Sequence, residues 1–204
     1  MAQQQDAQTE KRRRWTRPVL LIALAVGLVA GLKWAHWRYI QHRFRIIAPG
    51  EVYQSAQMPM DDLLDTVRER GIKTVLDLRE EGQGELELER ETLEEAGIRY
   101  VNLPTPQVPT LDTVGKYLDL IQEEDALPML IHCEHGEGRS VLFSALYRIE
   151  VEGWQNEEAR KATRMMSWRG SFAPGSRKGE FLRGYEPTLE LAGAGEAAMP
   201  AASR

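Results

Sequence analysis

Residues His132 to Ser140 read HCEHGEGRS and hold the single cysteine of the 204-residue chain, with His132 before it and His135 two positions after. Three chemistries suit such a group: a metal clip, a buried inert thiol, or a nucleophile. A zinc site takes three or four protein ligands at recognisable spacing. His132, Cys133 and His135 supply three close together, but the other histidines, His36 and His42, lie far upstream beside an apolar run, so no metal is expected. An inert thiol leaves Gly136, Gly138 and Arg139 without a purpose. The nucleophile reading uses them all. Glycines admit positive φ and close backbone approach, so that successive N–H groups can turn towards an anion. Arg139 offers a planar fork for two phosphate oxygens at once. The thiolate, the nucleophilic form of cysteine, is favoured at a helix N-terminus beside a cation. Cys133 is therefore the expected nucleophile towards phosphorus. Ser140 is placed to donate its hydroxyl to the departing sulfur, and His132 to order the loop from behind. Glu134, His135, Gly136, Glu137, Gly138 and Arg139 form the expected substrate-binding loop.

Such a loop must be carried by a strand and a helix. PMLIHC (Pro128 to Cys133) is a continuous apolar run of the kind buried on both faces of a sheet. IKTVLDLR (Ile72 to Arg79) and IRYVNL (Ile98 to Leu103) read as further strands. Helices are expected over Asp61–Arg70 and Glu85–Ala96, each stopped by a following glycine, Gly71 or Gly97, and over Asp112–Gln122. After the loop, Leu142, Ala145, Leu146 and Ile149 follow helical spacing up to Gly153, and a last helix runs from Asn156, as its N-cap, to about Trp168. Strands alternating with helices imply an α/β domain with a mostly parallel central sheet flanked by helices. Ligands of such sheets bind beyond the carboxyl ends of the strands, which is where Cys133 falls.

His132, Cys133, Gly136, Arg139 and Ser140, as H-C-x-x-G-x-x-R-S, resemble the signature of the cysteine-dependent protein tyrosine and dual-specificity phosphatases. VYQSAQM (Val52 to Met58), GIKTVLDLR and GIRYVNLP are similar to the early strands of the small, atypical bacterial members, over roughly residues 46–187. The resemblance implies the phosphatase fold and a two-step reaction without metal or cofactor: Cys133 attacks phosphorus, Arg139 and the loop amides stabilise the transferring group, an acid protonates the leaving oxygen, and water cleaves the cysteinyl phosphate. It also implies an aspartate some thirty residues before the cysteine. Here the chain departs from the family, because Val101 to Leu111 holds no acidic residue. Asp112 is the candidate acid, with helix capping as its rival role; Asp77, Glu80 and Glu81 stand in reserve, Asp77 rather as a support of the loop. Glu134 and Glu137 disfavour highly charged substrates and point to a singly phosphorylated protein side chain or lipid phosphate. The alternative is a catalytically weak module that only holds phosphorylated partners.

At the amino terminus, Lys11, Arg12, Arg13, Arg14 and Arg17 precede an uncharged run from Pro18 to Leu32, flanked by Trp15, Trp34 and Trp37. The expected organisation is a basic tail over 1–17, a single transmembrane anchor over 18–35, a linker over 36–45, the phosphatase domain over 46–190 and a disordered Ala/Gly-rich tail over 191–204. The expected location is a single-pass membrane protein with its catalytic domain on the non-cytoplasmic side. Met1 to Arg45 carries nine Lys/Arg against two Asp/Glu, leaving the remainder at −12. That acidic remainder excludes nucleic acid as the main partner. Arg164, Arg169, Arg177, Lys178 and Arg183 form a basic cluster near the end, suited to flanking the pocket, meeting anionic lipid or facing solvent.

Overall fold

The computed structural model describes residues 20–32, 42–82, 85–167 and 170–189. Two compact units divide at Gln41 and His42. In the first, helix α1 spans 20–32 and exposes its leucines and valines. No helix among the described residues is long and apolar enough to cross a membrane. The expected anchor over 18–35 is thereby corrected, and with it the single-pass location and the membrane as a partner. Residues 1–19, 33–41, 83–84, 168–169 and 190–204 lie outside the described residues.

The second unit begins at His42 and is built on five strands: β1 (Arg45–Ala48), β2 (Val52–Ala56), β3 (Thr74–Asp77), β4 (Arg99–Asn102) and β5 (Met129–Cys133). Their spatial order is β1-β2-β5-β3-β4, with β1 antiparallel at the edge and every other pairing parallel. β5 is central. Met129, Leu130 and Ile131, all wholly buried, give it the apolar content that a strand covered on both faces requires. The helices are α2 (Met60–Arg70), α3 (Leu86–Glu95), α4 (Leu111–Ile121), α5 (Arg139–Glu150), α6 (Asn156–Met166) and the short α7 (Arg177–Arg183).

Alternation along the strands sorts the core into two layers. Tyr53, Val75 and Leu130 pack with Leu63 and Val67 of α2 and Leu93 of α3. Val52, Leu76 and Ile131 face the other way, onto Val114 and Tyr117 of α4 and Leu142 and Leu146 of α5. Gly71 takes φ +62 and returns its N–H to Arg68 O and Val67 O, closing α2 at the expected place. Capping differs from expectation at two helices. Thr110, not Asp112, caps α4 by accepting from Thr113 N, and α6 is preceded by Gln155, while Asn156 donates to Tyr185 O at 2.6 Å. The short α7 was not anticipated, because only its basic residues were visible as a group.

Ile131→Ala removes three buried carbons from the middle of the central strand. It is expected to cost about 2–5 kcal/mol of unfolding free energy, read as a lowered midpoint in urea denaturation with the slope unchanged.

Candidate active site

The last two residues of β5 point to opposite faces of the sheet and meet two different environments. Cys133 faces the α5 side. Its Sγ lies 3.3 Å from Ser140 Oγ, which is also 3.3 Å from Ser55 O and accepts from Gln54 Nε2 at 3.0 Å. The same Gln54 amide donates to Gly136 O at 3.2 Å, so one wholly buried side chain from β2 ties the middle of the loop to its end. Gly136 has φ +62, and a Cβ there would stand 2.6 Å from Ala56 N, so both the backbone conformation and the fit against β2 require glycine.

Helix α5 starts at Arg139 from an N-cap, Gly138, that has no side chain to cap it. The first N–H groups of a helix have no acceptor within it and carry the positive end of its dipole, so this end is open to an anion beside Cys133. Arg139 is buried, and its Nη1 donates to Leu78 O at 2.9 Å and Thr105 O at 3.4 Å. Those carbonyls fix the plane of the fork. Gly138 has a φ of −125°, and Lys178 Nζ, reaching over from α7, occupies the space beside it that a Cβ would take. Lys178 donates to Gln107 Oε1 at 2.6 Å. Cys133, Arg139 and Gly138 line a pocket of about 240 Å³ together with Glu137, Gln107 and Lys178; His135 and Ser171 complete its rim. Arg43, the one described non-glycine residue at positive φ, donates to His135 O at 2.6 Å and pairs with Glu137 at 2.5 Å.

On the other face, His132 Nε2 lies 2.9 Å from Glu89 Oε1 and 3.7 Å from Asp77 Oδ1. Asp77, Glu89 and His132 present donors close enough to hold a cation. A cation is already there: Arg79 binds Asp77 through Nε and Nη2 and reaches Glu89 Oε2 at 2.6 Å, while Tyr100 donates to Asp77 Oδ2 at 2.7 Å. Asp77, Arg79, Glu89 and His132 are all buried, so they form an ion cluster under the loop, with Tyr100 at its partly buried edge. Burial pushes the Asp77 carboxyl up, but His132, Arg79 and Tyr100 outweigh it and hold the group below its ordinary value. The donors of His132, Cys133 and His135 do not converge on one point: His132 turns to Glu89, Cys133 to Ser140, and His135 to Glu134 at the surface.

Asp112 stands apart from this assembly. Its side chain is 74% exposed, pairs with Lys116 at 2.8 Å, and is not among the pocket-lining residues. Glu80 comes within 4.0 Å of Arg139, as does Glu134. Gln54, Gln107 and Arg43 were not singled out from sequence, and Lys178 was visible only as one of a basic cluster. The one local signal was a glutamine inside the wholly buried strand β2.

A strand-end thiol, a tight glycine loop and an arginine opening the next helix define a cysteine-based phosphatase site. The family described as DSP-PTPase phosphatase fused to NAD+ kinase matches residues 51–184, and the chain belongs to it. The dual specificity protein phosphatase TpbA of Pseudomonas aeruginosa (strain UCBPP-PA14) is 38% identical over 73 residues, 35% of this chain and 34% of its own length. The chain thus spans about a third of the length of the curated relatives it matches. The crystal structure of P. aeruginosa TpbA aligns with a TM-score of 0.53 at 26% identity, covering 71% of this chain and 85% of that one. The core catalytic domain of the S. cerevisiae PP-IP phosphatase SIW14, in complex with citrate, aligns at a TM-score of 0.59 and 19% identity over 71% and 86%, a likeness of fold.

A carboxyl whose folded pKa lies below its unfolded value of about 3.9 contributes stability that is complete above that value and is lost as pH falls through the folded pKa. Urea denaturation of wild type and Asp77→Asn is therefore expected to differ most near neutral pH and to converge on acidification below about pH 4.

Proposed function

We propose that the domain hydrolyses phosphate monoesters of protein side chains through a cysteinyl-phosphate intermediate on Cys133. The observation that carries this reading is the shared pocket of the Cys133 sulfur, the Arg139 guanidinium and the uncapped start of α5. In the first step the thiolate attacks phosphorus, the P–S bond forms and the ester P–O bond breaks. Negative charge on the three peripheral oxygens is met by Arg139 and the helix-start amides, already oriented before substrate arrives. In the second step water attacks the phosphocysteine and sulfur leaves. Ser140 Oγ, 3.3 Å away, donates its proton towards the developing thiolate, while Gln54 holds the hydroxyl oxygen from behind. Gln107, Glu137 and His135 line the mouth and meet the rest of the substrate.

Protein substrates are supported by the likeness to TpbA, a dual specificity protein phosphatase. The repulsion expected from Glu137 is offset by its pairing with Arg43, which leaves a rim tolerant of phosphorylated tyrosine, serine or threonine. The competing reading, a module that holds phosphate without turnover, draws on the amide of Gln107 where a carboxyl could have served.

Release of phosphate from p-nitrophenyl phosphate and from phosphotyrosine and phosphoserine peptides separates the two. Wild type is expected to turn over; Cys133→Ser is expected to fall to background while still binding phosphopeptide. Arg139→Lys, which keeps the charge but not the fork, is expected to lose about 100- to 1,000-fold in kcat/KM. Turnover surviving in Cys133→Ser would refute the covalent route, and a silent wild type that binds phosphopeptide would establish the holding module.

A further inference from the structure

Breaking the ester bond leaves an alkoxide or phenoxide that needs a proton, and the pocket contains few groups able to give one. Arg139 keeps its protons under all relevant conditions, and the amide of Gln107 is not an acid. Glu137 accepts from Arg43 at 2.5 Å as a carboxylate. Asp112 is held by Lys116 outside the pocket. His135 stands at the pocket mouth with its imidazole largely exposed, 3.4 Å from Glu134. Glu80 and Glu134 come within 4.0 Å of Arg139 but do not line the pocket, and the Ser171 hydroxyl that does is too weak an acid. What remains is the ammonium of Lys178. It is buried, it lies directly over Gly138 at the start of α5, and Gln107 Oε1 accepts from it at 2.6 Å, so its direction is set by the segment that leads into α4.

We propose that Lys178 is the proton donor to the leaving oxygen and that Gln107 is the positioning residue that aims it. The inference rests on the phosphatase reading of the same pocket. In the first step the Lys178 ammonium gives one proton to the leaving oxygen as the P–O bond breaks, yielding the free alcohol, phosphocysteine and a neutral amine. In the second step that amine takes a proton from the attacking water as the O–P bond forms and S–P breaks, returning thiolate, hydrogen phosphate and ammonium. No other reactant is needed. Burial lowers the Lys178 pKa from its ordinary value, with Arg139 acting in the same sense and Cys133 and Glu137 against it. A buried ammonium of this kind gives up its proton more readily than a surface lysine.

A donor differs from a mere anion-binding cation in what it does for poor leaving groups. The full chain is assayed with p-nitrophenyl phosphate, whose phenolate leaves unaided, and with phenyl phosphate, whose phenolate needs the proton. Wild type, Lys178→Arg and Lys178→Met are compared, their folding checked by thermal melting. Arginine preserves the charge and cannot act as the acid. Both variants are expected to lose on the order of 100-fold on phenyl phosphate and only a few-fold on p-nitrophenyl phosphate. Should Lys178→Met fail to fold, Lys178→Arg alone carries the comparison. Retention of phenyl phosphate turnover in Lys178→Arg, or equal losses on both substrates, overturns the proposal while leaving the phosphatase reading intact. The same selective loss in His135→Gln but not in Lys178→Arg assigns the proton to the imidazole and overturns it too. A wild type silent on both substrates sinks the phosphatase reading, and the inference with it.

Discussion

The pairing of β5 between β2 and β3 is the constraint on which the site depends. Both neighbours run parallel to it, and the register sets Ala56 opposite Cys133 and Asp77 opposite His132 at the same end of the sheet. A slip of one residue would exchange the two faces and send the thiol towards α3 and the imidazole towards the pocket. Apolar residues alone do not prevent such a slip at the end of a strand. Here the polar contacts do: Gln54 on one side recognises Ser140 and Gly136, and Asp77 and Glu89 on the other recognise His132.

The ion cluster under the loop makes this specification costly to violate. Each buried ion gives up several kcal/mol of hydration, which is regained only while its partners stay in place. Arg79 is the hub, bound to Asp77 from β3 and to Glu89 from α3, with Tyr100 of β4 on the same carboxylate. Three elements thus converge on the strand end that carries the nucleophile. Asn102 extends the same hold, donating to Asp77 O and Arg79 O, so that the chain leaving β3 is pinned where Leu78 O must receive Arg139. The rigidity of the pocket floor is therefore set from the face opposite the pocket.

Local pattern made the architecture legible. β-Branched content marked β3 and a continuous apolar run marked β5, Gly71 and Gly97 marked two helix ends, and the step from strand to glycine loop to helix placed Cys133, Arg139 and Ser140 together. Contacts over long sequence separation were not legible. Gln54 lies 86 residues from Ser140 and Lys178 lies 71 from Gln107, and nothing in the periodicity of either segment announces a partner. Asp112 drew attention as the acidic residue nearest the right stretch. Its position in the first turn of α4, with Lys116 one turn on, is what ordinary helix electrostatics favours. The apolar run near the amino terminus shows the converse difficulty: hydropathy registers a helix, but no helix among the described residues is long and apolar enough to cross a membrane.

Charge in the pocket follows from how the chain enters the domain. Arg43 stands two residues before β1, at a φ of 48° that costs a non-glycine residue roughly 1–2 kcal/mol. The strain is offset by two charge-assisted contacts to the phosphate loop, one to His135 O and one to Glu137. Arg43 places a positive charge against the Glu137 carboxylate on the pocket wall, which would otherwise add to the repulsion of the dianion that Arg139 attracts. With it, the pocket presents Arg139 and Lys178 to the substrate, two positive charges against the two of a phosphate monoester. An acidic loop, by composition alone unsuited to anions, is thus made receptive by a residue about ninety positions upstream, and Glu137 becomes the means by which the entry segment holds the loop in shape.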